Sequence, residues 1–239
     1  MTLEIKKYEY LKFTKSIHEE YLLLQEKYSK IYNTDKTIVL MQVGSFHEIY
    51  STNKRGYDLH KLSSLLNIIV SKKNKKIPEV NEKNPYMIGF PIISTPKFLK
   101  ILIDNNFHVI KIDQVTPKPY PKRAITGIFS PGTYIDDIST SDSNNILCIF
   151  IEEIKQLNST FILFIGLSII DLSVGKSIVH ETFSVKDDDK YSLDETLKFI
   201  HNFNPREVII YYKNLKTYKE NELISYLELN DRNYLINKL

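Results

Sequence analysis

The sequence predicts an α/β protein of two domains. The length of 239 residues exceeds that of a typical single domain. Runs of β-branched and apolar residues alternate with segments in which apolar residues recur every three or four positions, the respective signals of strands and helices. The formal charge also changes sign along the chain, since residues 1–130 carry 21 Lys+Arg against 12 Asp+Glu and residues 131–239 carry 11 against 17.

Composition excludes several classes of protein. With 42% hydrophobic and 26% charged residues, the chain is neither disordered nor collagen-like. No apolar stretch approaches the roughly 20 residues of a membrane helix, and the N-terminus lacks the apolar core of a secretory signal. The single Cys148 forms neither an internal disulfide nor a cysteine zinc site. These features predict an intracellular, reducing compartment, without distinguishing cytoplasm, nucleus or viral factory.

Three helices are predicted in the first half. Residues 8–32 carry one apolar stripe at steps of three and four positions, which includes Tyr10, Ile17, Tyr21 and Tyr28. Helical spacing returns over 57–69. Thr95 is expected to cap a third helix over 96–105, with Pro96 in the first turn, where its missing N–H costs little.

Strands are predicted between these helices. Residues 37–43 (TIVLMQV) form a buried strand that ends at Gly44. Residues 107–113 alternate between apolar and polar types and predict a second strand, and 125–129 predict a third, short one. Two polar segments rich in Lys and Pro are predicted to be loops, 71–87 and 116–124.

The second half predicts a mixed sheet with helices. Residues 136–145 (DDISTSDSNN) are polar and free of packing residues, so we place a linker over 132–144. Four strands are then predicted, over 146–151, 160–167, 168–174 and 176–183. Ser192 is expected to cap a helix over 192–202, since Glu195 three positions on completes a capping box. A strand over 207–212 and a helix over 217–230 complete the α/β pattern.

Patterns for nucleotide and zinc binding are weak in this chain. Gly175-Lys176-Ser177 resembles the end of a phosphate-binding loop, but the Gly required five positions earlier is Ile170. Because the segment leads into a predicted strand instead of a helix, we expect a β-hairpin turn there. The six His residues are scattered without a paired spacing, so no zinc site is predicted.

A metal-dependent nuclease is an alternative from another class. Asp171 lies among predicted strands, and such a nuclease needs two or three convergent carboxylates. Glu152, Glu153 and Asp194 are available, but nothing in the sequence brings them together. Surface carboxylates are the simpler interpretation of all four residues.

A basic cluster lies in the predicted 71–87 loop. It consists of Lys72, Lys73, Lys75 and Lys76 (SKKNKK). Such a cluster is either a solvated loop tip or a contact to a nucleic-acid backbone, which attracts it through charge and counterion release. The excess of cations over residues 1–130 slightly favours the backbone contact.

The segment Gly44-Ser45-Phe46-His47-Glu48 directly follows a predicted buried strand. In extended backbone, Phe46 and Glu48 lie on one face because they are two positions apart. An aromatic ring beside a carboxylate suits a nucleobase, since the ring stacks on the flat face and the carboxylate accepts from an edge donor. The pattern alone also fits a buried core Phe and a capping box between Ser45 and Glu48.

Several motifs in order resemble the MutS family of DNA mismatch repair proteins. Val43-Gly-Ser-Phe-His-Glu-Ile-Tyr50 resembles the family's mismatch-recognition segment, V-G-D-F-Y-E-[LM]-[FY]. Three further segments of the first half resemble family motifs: Tyr86–Pro91 (YMIGFP), Val109–Gln114 (VIKIDQ) and Arg123–Thr133 (RAITGIFSPGT). Two segments of the second half resemble strands of the family's connector domain: Leu167–Gly175 (LSIIDLSVG) and Pro205–Ile210 (PREVII). The Lys-rich usage, 28 Lys against 4 Arg, is typical of an AT-rich source such as a large DNA virus.

The resemblance implies a domain arrangement and two site residues. Residues 1–131 would be the mismatch-recognition domain, a mixed sheet with surrounding helices, and 145–239 a connector domain with an RNase H-like fold. Phe46 would stack at a mispaired base and Glu48 would hydrogen-bond that base. The sequence departs from the family in having Ser45 in place of Asp and His47 in place of Tyr.

The resemblance also implies the function. We expect the chain to bind mismatched or distorted duplex DNA as the N-terminal part of a MutS-like protein, which would be a homodimer in full length, with no membrane partner. Family members continue into lever, clamp and ATPase domains, so no enzymatic activity and no cofactor are expected of this chain, and ATP and Mg²⁺ only of the ATPase domain. A metal-dependent nuclease and a purely structural interaction module remain as alternatives.

Overall fold

Residues 9–32, 35–135, 143–157, 161–185 and 187–239 are described by the structure, a computed structural model. The chain divides into two compact units, Met1–Ser130 and Pro131–Leu239. Of the predicted linker 132–144, residues 136–142 lie outside the described residues. None of the helices in the described ranges is long and apolar enough to cross a membrane.

The first unit is built on a mixed six-stranded sheet. In chain order, its strands are β1 (Thr37–Val43), β2 (Phe46–Ser51), β3 (Ser71–Lys72), β4 (Tyr86–Pro91), β5 (His108–Gln114) and β6 (Arg123–Phe129). They are ordered β3-β4-β2-β1-β5-β6 across the sheet, and only the β1–β5 pair is parallel. The predicted strands over 37–43, 107–113 and 125–129 are confirmed, whereas the sequence analysis did not predict β2 or β4 as strands.

A two-residue hairpin turn joins β1 to β2. Val43 pairs with Phe46, so Gly44 and Ser45 form the whole turn. Gly44 has a φ of 63°, the left-handed region that the first residue of a type II′ turn requires. This turn brings β2 directly back along β1 and places Phe46 at the first position of β2.

Helices cover both faces of the first sheet. The three helices are α1 (Ile17–Ile31), α2 (Leu59–Leu66) and α3 (Thr95–Asp104). Tyr21 of α1 meets Tyr50 of β2 edge to face at 5.1 Å. On the opposite face, Phe90 of β4 lies between His47 of β2 and Phe98 of α3, and α2 contacts β4 and α3.

The predicted helix over 8–32 begins nine residues too early. The Ser16 side chain accepts a hydrogen bond from the Glu19 N–H, and Glu19 bonds back to the Ser16 N–H. This capping box fixes the N-terminus of α1 at Ile17. The preceding residues are held elsewhere, since the Leu11 N–H donates to the Arg123 carbonyl at 2.8 Å. At the third helix, the predicted capping residue Thr95 is instead the first helical residue and makes no cap.

The second unit contains a mixed five-stranded sheet, which confirms the predicted α/β class. Its strands are β7 (Asn145–Lys155), β8 (Phe161–Asp171), β9 (Lys176–Phe183), β10 (Glu207–Lys213) and β11 (Tyr234–Lys238), ordered β11-β10-β7-β8-β9. The separate strands predicted over 160–167 and 168–174 are wrong, because β8 runs through Ser168 and pairs with β7 from Phe161 to Asp171. Strand β11 was not predicted from the sequence.

Two helices of the second unit pack into one hydrophobic core. They are α4 (Tyr191–Phe203) and α5 (Glu220–Tyr226). Their buried residues, such as Leu193 and Leu223, join Leu147 and Ile165 of the sheet in a single cluster. The predicted Ser192 cap is wrong, since Lys190 is the N-cap residue and Ser192 lies fully buried within the first turn. The predicted last helix over 217–230 is shorter in the structure.

Candidate functional site

Phe46 is the one exposed residue of β2. Its side chain is 43% exposed, and the other five residues of the strand are buried. Its backbone pairs with Pro91 at the end of β4. The next residue, Ile92, donates its N–H to the Ser45 carbonyl at 3.0 Å. The turn is thereby fixed from both sides, so an aromatic ring is presented at the end of a rigid sheet.

Glu48 lies on the same face of β2 as Phe46, as the spacing of two predicted, but its surroundings differ. The residue is only 8% exposed. Its Oε2 atom accepts a hydrogen bond from the Tyr50 hydroxyl and lies 3.3 Å from the Lys73 ammonium. The capping-box interpretation is wrong, because no helix begins here. Ser45 lies in the hairpin turn and Glu48 lies in strand β2.

Aromatic and basic groups surround this carboxylate. The Lys73 ammonium lies 5.8 Å from the centre of the Tyr50 ring, and the His18 imidazole meets the same ring edge to face at 4.8 Å. Burial raises the pKa of the Tyr50 phenol, and its hydrogen bond to Glu48 raises it further. Burial and then the Lys73 charge lower the pKa of His18. The Glu48 carboxylate therefore lies among aromatic rings and beside the Lys73 ammonium.

His47 points to the opposite face of β2 and is fully buried. Its Nε2 lies 2.9 Å from Asp113 Oδ1 and its Nδ1 lies 2.7 Å from Thr95 Oγ1. A carboxylate only accepts, so we assign a proton to Nε2, and Nδ1 is hydrogen-bonded to the Thr95 hydroxyl. His47 thus ties β2 to β5 and to the start of α3, immediately beside Phe46 and Glu48.

The four lysines of the basic cluster are not equivalent. Lys72 Nζ donates to the Pro78 carbonyl at 3.2 Å, and Lys73 pairs with Glu48. Lys75 and Lys76 are exposed, and the described residues offer their ammonium groups no ion-pair partner. Only these last two lysines match the predicted picture of a loop tip that is free to contact a phosphate backbone.

A buried amide gives this lysine loop its shape. Asn84 is 3% exposed, and its Oδ1 accepts from the Asn74 N–H at 2.7 Å. Its Nδ2 donates to the Glu79 carbonyl at 2.9 Å. Since these bonds close the loop onto itself, Lys75 and Lys76 project from an ordered segment.

The carboxylates of the alternative nuclease site have structural partners. Within the described residues, no group of three or more His, Cys, Asp or Glu side chains is placed to hold a metal ion. Glu153 is buried, not on the surface as expected, and accepts from the backbone N–H groups of residues 216–218. Asp194 accepts from the Tyr226 hydroxyl, which raises the pKa of that phenol to about 12. Asp171 accepts from the Ser173 and Asn144 N–H groups. The nuclease alternative is not supported.

Gly175-Lys176-Ser177 lies in a β-hairpin, as predicted. Asp171 at the end of β8 pairs with Lys176 at the start of β9, and the Gly175 N–H donates to the Asp171 carbonyl at 2.8 Å. Gly175 has a φ of 70°, which accounts for glycine at this turn. The segment leads into a strand, so its backbone N–H groups do not form the phosphate cradle of a helix N-terminus.

Two partners of Glu48, Tyr50 and Lys73, were not predicted from the sequence. Tyr50 lies two positions after Glu48 in the same strand, so the alternation that placed Phe46 beside Glu48 also predicts Tyr50 there. Local spacing does not predict Lys73 as a partner, because it is 25 positions from Glu48. It reaches Glu48 only because β3 pairs with β4 and β4 pairs with β2.

Comparisons with known proteins identify relatives of the chain. Residues 23–138 match the family described as MutS domain I. A mutS homolog of Acanthamoeba polyphaga mimivirus, described as a DNA mismatch repair protein, is 37% identical over 86% of this chain and 19% of its own length. The DNA mismatch repair protein MutS of Streptococcus thermophilus is 28% identical over 88% of this chain and 22% of its own. The MutS of Thermotoga maritima is 25% identical over 80% and 20%. The chain thus spans about a fifth of the length of these relatives.

Proposed function

Because the chain belongs to the MutS family, by its match over residues 23–138 and its sequence relatives, we propose that it binds duplex DNA containing mispaired or distorted base pairs. Within this proposal, residues 1–131 form the mismatch-recognition domain, 132–144 the linker and 145–239 the connector domain. The relatives named as DNA mismatch repair proteins support this proposal.

The observation that carries the proposal is the exposure of Phe46. A 43% exposed ring starts a strand whose remaining residues are all buried. The hairpin turn and the pairing with Pro91 hold the backbone beneath it. A rigid, projecting ring suits insertion between base pairs, which unstacks one step and kinks the duplex.

A mispair lowers the cost of this insertion. Unstacking and bending depend on the local deformability of the duplex, and a mispaired step resists both less than a paired step does. Phe46 therefore discriminates by entering only where the stack is already weak. Glu48, on the same strand face, contributes a carboxylate oxygen that accepts from an edge donor of the displaced base.

Backbone affinity comes from the basic loop in this proposal. Lys75 and Lys76 have no ion-pair partner among the described residues, so they are available to phosphates. Such contacts act on paired and mispaired duplex alike, because phosphates carry no sequence information. Affinity and discrimination thus rest on different residues and are separable by mutation.

The remaining functions of a MutS-like protein are assigned outside this chain. We expect ATP and Mg²⁺ to be required only by a C-terminal ATPase domain and a homodimer to form in the full-length protein. The chain itself is proposed as a DNA-binding module without enzymatic activity. The MutS domain I match, which is not to the ATPase domain, supports this division.

Substitution of Phe46 tests the proposal. In the 239-residue chain, Phe46→Ala is expected to remove most of the preference for a mismatched over a paired duplex. Base–aromatic stacking is worth about 1–3 kcal/mol, so the preference falls by about 5- to 150-fold. Affinity for the paired duplex changes little. Fluorescence anisotropy titrations with two duplexes that differ at one base pair measure both quantities.

Phe183→Ala is the matched control, because Phe183 is also 43% exposed but lies in the second unit. We expect it to leave the preference unchanged. Thermal melts accompany both variants, since loss of a core Phe costs about 3–5 kcal/mol. A Phe46→Ala chain that melts many degrees lower identifies Phe46 as a core residue, and one that keeps its mismatch preference refutes the stacking role.

A further inference from the structure

Lys73 occupies an unusual position for a residue of a basic loop. Its ammonium lies 3.3 Å from Glu48 Oε2, the oxygen that also accepts from the Tyr50 hydroxyl. The Lys73 side chain is 35% exposed, whereas the Glu48 side chain is 10% exposed. Lys73 therefore reaches solvent and a buried carboxylate at once, which none of the three other lysines of the cluster does.

The backbone fixes Lys73 in this place. Lys73 directly follows β3, and its N–H donates to the Pro85 carbonyl at 3.0 Å, just before β4. Gly89 of β4 pairs with Glu48 of β2, so β4 lies between Lys73 and the strand that carries the carboxylate. The pairing of β3 with β4 and of β4 with β2 thus brings Lys73 beside Glu48.

A carboxylate at a DNA-binding surface creates an electrostatic conflict. Phosphates repel it, and a buried charge without a partner is strongly destabilising. The Lys73 ammonium reduces both costs, because it pairs with Glu48 in the free chain and is itself partly exposed to solvent. Glu48 also needs a free oxygen in order to accept from a base.

We propose that Lys73 is a specificity-determining residue that holds Glu48 in place in the free chain and shifts toward a DNA phosphate when Glu48 turns to the mispaired base. The inference rests on the proposed function and adds to it a coupling between one phosphate contact and one base contact. Lys75 and Lys76 contribute affinity alone, whereas Lys73 links affinity to discrimination.

A double-mutant cycle tests the coupling in the 239-residue chain. The variants are Lys73→Met, Glu48→Gln and the double substitution, with Lys75→Met as the matched control for loss of one cation from the same loop. Affinities for paired and mismatched duplexes are measured by anisotropy at one fixed salt concentration.

Lys73→Met alone is expected to weaken binding to both duplexes more than Lys75→Met does, because it exposes phosphates to an unpaired carboxylate. The loss should be larger for the mismatched duplex, because only there does Lys73 shift to a phosphate. In the Glu48→Gln background, the effect of Lys73→Met should shrink to that of Lys75→Met. The coupling factor is expected to be about fivefold, the upper end for ion pairs near a protein surface. The effects of Lys75→Met and Glu48→Gln on DNA affinity should be additive when the two substitutions are combined.

Thermal melts of the same variants without DNA separate a binding role from a structural one. Additive effects of Lys73→Met and Glu48→Gln on DNA affinity overturn the inference. If their effects on the melting temperature are coupled while those on DNA affinity are additive, the role of Lys73 is purely structural. The Phe46→Ala titrations report on the proposed function independently. If Phe46→Ala abolishes the mismatch preference while Lys73 and Glu48 act additively, the proposed function stands and this inference fails.

Discussion

Asp113 of β5 and Glu48 of β2 lie in one sheet, on two strands separated by β1. Both carboxylates pair with a lysine, yet Asp113 has more partners. Its Oδ1 accepts from His47, and its Oδ2 accepts from Lys111 at 2.6 Å and from the Thr126 hydroxyl. Burial raises the pKa of Asp113, but these hydrogen bonds outweigh it and hold the pKa well below the ordinary value. Asp113 is therefore ionised throughout the physiological range.

This lowered pKa has a definite consequence for stability. The ionised carboxyl is favoured in the folded chain, so its contribution is fully present above the unfolded pKa of about 3.9. It is lost as the pH falls through the lower, folded pKa. Asp113 therefore stabilises the first unit at neutral pH, and acid removes that stabilisation.

Asp113→Asn is expected to lower stability at pH 7 by about 1–3 kcal/mol, because His47 and Lys111 lose a charged acceptor. The parent loses stability steeply below about pH 4, and the variant less so, since the titrating group is gone. Urea midpoints between pH 3 and 7 measure this. Asp104→Asn, at an exposed position of α3, is the control and should follow the parent. Parallel pH profiles for Asp113→Asn and the parent would contradict the argument.

Sequence reasoning at this scale succeeds where the interacting residues are close along the chain. Phe46 and Glu48 share a face because strand side chains alternate, and that follows from spacing alone. His47 stood out as a departure from the resembled motif, but its partners Thr95 and Asp113 are 48 and 66 positions away. Such contacts depend on which strands become neighbours, and local pattern does not determine that.

At the scale of elements, one local pattern has two different outcomes. Ser16-x-x-Glu19 and Ser192-x-x-Glu195 both match a capping box. Ser16 caps α1, whereas Ser192 is fully buried inside α4, which begins one residue earlier at Tyr191. Burial against the core therefore overrides the cap pattern at Ser192, and Glu195 instead pairs with Lys198 at 2.7 Å.

Alanine substitution distinguishes the two serines. Ser16→Ala is expected to cost about 1 kcal/mol, because the Glu19 N–H loses its acceptor. Ser192 Oγ is buried without a hydrogen-bond partner among the described residues, so Ser192→Ala removes a buried unpaired hydroxyl and should be neutral or stabilising. Urea denaturation of both variants measures the difference. A larger loss for Ser192→Ala than for Ser16→Ala would show that Ser192 has a capping role.

Strand prediction failed where polar residues occur within a strand. β8 was divided at Ser168 because a polar residue interrupts its apolar run, yet Ser168 pairs with Cys148 and Val179 in an unbroken ladder. β2 was missed because its sequence, FHEIYS, mixes charged and aromatic residues. Five of its six residues are nevertheless buried, and the polar side chains of His47 and Glu48 find partners on other strands or loops. Without knowledge of these partners, the sequence of such a strand resembles that of a polar loop.

For the whole molecule, the division of charge matches the division into units. The 21 cations against 12 anions of residues 1–130 lie in the first unit, and the excess of anions lies in the second. The charge of each half is counted directly from the sequence, and the accompanying change of composition is what predicts a linker over 132–144. The proposed DNA contacts all lie in the first unit, so the salt dependence of binding should originate there.

The salt dependence of the whole chain therefore depends on where cations are removed. Each phosphate contact contributes about 0.9 to the slope of log affinity against log salt, so Lys75→Met with Lys76→Met should reduce the slope by up to about 1.8. Lys155→Met with Lys176→Met removes the same charge from exposed positions of the second unit and should leave the slope unchanged. Anisotropy titrations at four salt concentrations give both slopes. Equal reductions in the two double variants would mean that net charge, not the lysine loop, governs binding, because a general field does not depend on which cations are lost.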